Sequence, residues 1–98
     1  MSAVVWVVFL EVRPADNGTE NMATGAYANA YVLESFSAAA AEVARREISE
    51  AGWLVLSVEE PRQISAESLE PDSPARRYYE QAVADGIAIV IHTWRDEH

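Results

Sequence analysis

"GAYANAYVLE" (Gly25 to Glu34) is the stretch on which the fold turns. Successive side chains of a strand point to opposite faces, so Ala26, Ala28, Ala30 and Val32 share one side. Tyr27, Asn29, Tyr31 and Leu33 share the other. Small residues on a strand let another element come close. The segment that follows, "AAAAEVARREISEA" (38–51), is itself alanine-rich and, with Phe36 just ahead of it, aligns Ala40, Val43, Ala44, Ile48 and Ala51 at helical spacing. This helix is therefore expected on the alanine side, leaving the tyrosine side turned away from helices.

Upstream, "VVWVVFLEV" (4–12) is apolar on both alternating sets, as in a strand covered on both faces. The connector "RPADNGTENMATG" is longer than a tight hairpin turn and contains an Asn17-Gly18 turn signal. Downstream, Ser37 reads as the N-cap of the first helix and Gly52 as its left-handed terminator. Trp53 to Glu59 is a third strand, with Leu54, Leu56 and Val58 alternating with Trp53, Val55 and Ser57. "EPRQIS" extends it past Pro61 as an edge segment, since proline cannot donate to a ladder. After a short connector, Asp72 or Ser73 caps a second helix that has Pro74 at its first position. Ala75, Tyr78, Tyr79, Ala82 and Val83 form its apolar side, and Gly86 stops it. "IAIVIHTW" (87–94) is the last strand, again apolar on both sides.

The order is β-β-α-β-α-β over one domain, residues 1–98. Right-handed crossovers would put both helices on one face. The expected fold is an α+β two-layer sandwich, ferredoxin-like in character, with a four-stranded mixed sheet and the first and last strands inside it. The tyrosine face is then bare, together with Trp53 and Val55 if they share it. A contiguous apolar sheet face invites association.

Composition narrows the function classes. Seven arginines, no lysine and 17 alanines suit a GC-rich bacterial genome, and the net charge of −9 repels nucleic-acid phosphates. With no cysteine, disulfide and thiolate chemistry are excluded. The first residues lack a basic leader and an apolar run of membrane-spanning length, so the reading is a cytoplasmic protein without a membrane or nucleic-acid partner.

Chemical motifs are sparse. His92 has no second histidine at metal-ligating spacing, His98 lies in the polar tail, and the glycines sit at turns rather than in a phosphate loop. Glu59 and Glu60, adjacent on a strand, would point to opposite faces and make a poor acid–base pair. No serine lies in a nucleophile elbow. Arg76 and Arg77 with Tyr78 and Tyr79 could form a small anion site at a helix start. No catalytic residue, metal or cofactor is assigned.

The leading expectation is a non-enzymatic homodimeric binding or association module that uses the open sheet face. Its contacts would be Tyr27, Asn29, Tyr31, Trp53 and His92, with Trp6 or Phe9 behind them. Its own loops at 13–25 and 59–71 are the alternative cover for that face. One rival is a small enzyme or ligand-binding protein of the dimeric α/β-barrel type, working through His92, Tyr31 and Asn29. Another is an acidic immunity- or inhibitor-like protein whose charge speeds capture of a basic protein partner.

Overall fold

A computed structural model describes residues 3–14 and 25–94. The chain forms an open sheet of five strands with two helices. β1 (Val4–Pro14) and β2 (Gly25–Glu34) pair antiparallel at its centre, and α1 (Ser37–Glu50) follows. β3 (Trp53–Val58) and β4 (Arg62–Ile64) lie one after the other along the free side of β1. α2 (Pro74–Asp85) then leads to β5 (Ile87–Trp94), which pairs with β2. Every pairing is antiparallel, so the sheet is not mixed, and β4 makes it five-stranded.

The alanine rule places α1 as expected. Ala26, Ala28, Ala30 and Val32 are buried with Ala40, Ala44 and Ile48 of α1 and with Val8, Leu10 and Val12 of β1. Alanine facing alanine brings helix and sheet close enough for dispersion contacts to close the gap. Ile87, Ile89 and Ile91 of β5 pack onto the edge of this core. Trp6 joins it too and satisfies its indole by donating from Nε1 to the Glu34 carbonyl at 2.9 Å.

α2 departs from the expectation. Tyr78 lies against Tyr31, ring centroids 5.6 Å apart, on the sheet face opposite α1. Val5 and Ala88, which share that second face, are only 2% and 3% exposed, and Ala82 of α2 is fully buried outside the α1 core. The helices therefore sit on opposite faces, and the two-layer ferredoxin-like arrangement gives way to α1, sheet and α2. The cause is directional. α2 joins β4 to β5, which run antiparallel to one another, and the handedness rule governs only parallel crossovers.

β5 is an edge strand, not an interior one. Its double-sided hydrophobicity comes from cover above and below: the α1 core reaches one side, and α2 reaches Ala88 on the other.

The helix ends mix success and correction. Ser73 caps α2 as expected, its Oγ accepting from the Arg76 amide at 3.2 Å, with Pro74 next in line. Gly86 ends the helix at φ 93°, a left-handed conformation that disfavours side chains. Ser37 is no cap: it is the first helical residue, Phe36 precedes it, and no side chain caps α1. Gly52 closes α1 as expected, at φ 97°.

Candidate functional site

The second face of the sheet is covered unevenly. At the end holding Val5, Tyr31, Leu33 and Ala88, α2 lies across it. There Tyr79 and Val83 border a groove of about 330 Å³ shared with Val5, Leu33 and Ile64. Toward the other end of the strands, among the described residues, neither α1 nor α2 covers the face. Phe9, Glu11, Tyr27, Asn29, Val90 and His92 share this half by register.

Its centre is aromatic. Phe9 stacks on Tyr27 with centroids 5.0 Å apart and planes 29° apart. The two residues are diagonal neighbours on paired strands, where rings reach each other. Tyr27 still leaves 42% of its surface exposed. His92 stands directly across from Tyr27 on β5 and is exposed, so three strands contribute to one patch. The flanking β3 adds Leu54, also exposed, opposite Arg13.

Beside the patch lies an open groove of roughly 570 Å³. Val7, Phe9 and Asn29 line it from the strands, while Glu59, Glu60 and Arg62 form a charged side. Glu59 and Glu60 are not on a strand, so strand alternation does not set where they face. β3 ends at Val58 and β4 begins at Arg62, and both residues line the groove from the link between them. His92 is not among the groove's lining residues. It lies on β5, at the opposite edge of the sheet from the β3–β4 edge beside the two glutamates.

Of the expected contacts, Tyr27, Asn29 and His92 do come together. Tyr31 shares their face but is held against Tyr78; burial, and secondarily the neighbouring phenol, push its ionisation above the ordinary tyrosine range. Trp53 is elsewhere. It packs on the α1 core with Val55 and Val58, as does Trp6. The pairing of β1 with β3 shifts by one residue beside Glu11 and Val12, and this bulge restarts the alternation. Trp53 and Val55 are thereby set on the α1 side, and Leu54 on the tyrosine side.

Of the residues suggested for an anion site, Arg76 is engaged within the chain and Tyr78 meets Tyr31. Arg76 donates from an Nη to the Ala66 carbonyl at 3.0 Å, and its Nε lies 3.4 Å from Glu80. Among the described residues no three His, Asp or Glu side chains gather at metal-binding distance, and no helix is long and apolar enough to cross a membrane. The 15–24 part of the long connector and His98 lie outside the described residues.

No family model, curated protein or solved structure matches the chain.

Proposed function

We propose that the chain is a non-enzymatic association module whose contact surface is the uncovered half of the second sheet face, packed against the same half of a second copy. The observation that carries the reading is the Phe9–Tyr27 stack: two aromatic rings on the sheet face, left partly exposed where neither helix reaches. Burying side chains of this size is worth about 1.5–3 kcal/mol each, and a two-fold contact gains it twice. Tyr27 supplies apolar area, and Asn29 and His92 add polar groups that a second surface can hydrogen-bond.

Sedimentation of the full chain at micromolar concentration tests the reading. Tyr27→Asp places a charge in the middle of the patch and is expected to halve the sedimenting mass. Phe36→Asp, on an exposed aromatic at the start of α1, is expected to leave it unchanged.

A second reading, small-ligand binding, draws on the groove beside the patch. Its polar groups are Asn29, Arg62, Glu59 and Glu60, so the contacts of such a ligand would be these and not His92. Arg62→Ala and Asn29→Ala would then weaken ligand binding while leaving the sedimenting mass intact.

A further inference from the structure

The two edges of the sheet differ in kind. Along the β3–β4 edge, pairing with β1 slips by a residue beside Glu11 and Val12, and by another between Val58 and Arg62. Pro61, within the second slip, has no amide hydrogen to offer. Bulges and prolines of this sort blunt an edge against further strands. β5 carries no such device. It runs unbroken from Ile87 to Trp94, keeps one register with β2, and contains no proline, glycine, lysine, arginine or carboxylate. Among the described residues nothing pairs with its outer side.

We infer that β5 pairs edge to edge, antiparallel, with β5 of a second copy, joining two sheets into one across a two-fold axis. The blunted edge selects this partner geometry. A β5 strand cannot extend regularly along the broken β3–β4 edge of another copy, so head-to-tail growth is refused. Antiparallel pairing of a strand with itself is two-fold symmetric and closes after two copies. Charge agrees. The chain carries a net −9, which opposes self-association, yet the β5 seam holds none of the 16 acidic residues.

This contact goes beyond the face contact proposed above, and its axis is perpendicular to the sheet. Both α2 helices then lie on the same side of the joined sheet. The His92 end of each β5 sits beside the Ala88 end of the other, so each uncovered patch gains the neighbour's α2 as a flank. Acting together, the two contacts build a closed four-chain assembly of dihedral symmetry.

The test uses the full-length chain carrying Tyr27→Asp, which removes the face contact, at several hundred micromolar. Amide exchange is followed by NMR and mass by sedimentation. In a free edge strand the outward amides lack ladder partners. The expected result is a dimer in which inward and outward β5 amides are both slowed by about 100-fold or more, the outward set losing protection on dilution. A monomer whose outward amides exchange freely would overturn the inference. So would protection that persists in a dilute monomer, because the chain would then be covering its own edge. In the same background Val90→Lys, which sets a charge on the seam, is expected to give a monomer with only the outward amides released. A Val90→Lys chain that remains dimeric would also overturn the inference. A wild-type mass unchanged by Tyr27→Asp would count against the face contact alone.

Discussion

Tyr31 of β2 and Tyr78 of α2 meet with ring centroids 5.6 Å apart, on the side of the sheet that α1 does not touch. This one contact divides the second face. Where α2 lies, Val5 and Ala88 are closed from water; beyond it, Phe9 and Tyr27 are not.

The Tyr31 phenol provides a pH test of that contact. Its ionisation is raised by burial first and by Tyr78 second. The folded state therefore holds the proton more tightly than the unfolded chain. The associated stability is fully present below the ordinary tyrosine value of about 10 and is lost as pH rises through the folded value. Urea midpoints measured from pH 9 to 11.5 are expected to fall, and Tyr31→Phe should flatten that fall. An identical slope in Tyr31→Phe would count against the contact.

Trp53 and Tyr27 are expected to separate stability from association. Trp53→Ala removes packing from the α1 core and should cost about 2–4 kcal/mol in urea unfolding. The assembled mass of the folded chain should not change. Tyr27→Asp should do the reverse, shifting mass with a stability change of about 1 kcal/mol or less. Equal effects of the two variants on mass would mean that the side of the sheet does not matter.

The two serines before the helices should differ. Ser73→Ala removes an acceptor used by the Arg76 amide and is expected to cost about 0.5–2 kcal/mol. Ser37→Ala removes no cap and should be close to neutral, because alanine also suits the first turn. Chemical denaturation of both variants under one condition is sufficient to check this.

Gly86 gives a purely conformational prediction. A Cβ there would meet nothing within 4 Å, so Gly86→Ala has no clash to relieve. The cost comes from φ 93° alone, on the order of 1–2 kcal/mol in urea unfolding. A neutral Gly86→Ala would mean that the helix end relaxes freely.

Much of this was legible in the chain. The alanines of β2 announced the side on which α1 lies, because small residues on both partners mark a close approach. Ser73, Pro74, Gly52 and Gly86 marked helix ends through local backbone chemistry. Apart from Ser37, which does not cap α1, what failed was non-local. Trp53 is expected among the contacts on the tyrosine side, and the one-residue bulge against β1 that turns it to the α1 side leaves no mark of its own in composition. The side taken by α2 did leave a trace. Ala88 is the small residue among Ile87, Ile89 and Ile91, on the tyrosine side, and Ala82 of α2 is buried as it is. The rule that placed α1 applies equally here. Glu59 and Glu60, expected on a strand, lie in the link between two strands, so the alternation of neither sets where they face.

The central claim is that the half of the sheet left bare by both helices is a contact surface between copies. Its most direct test is the sedimenting mass of the wild-type chain beside Tyr27→Asp at matched concentration. The single substitution is expected to halve the mass while the far-UV spectrum stays native. Two equal masses, with both chains folded, would contradict it.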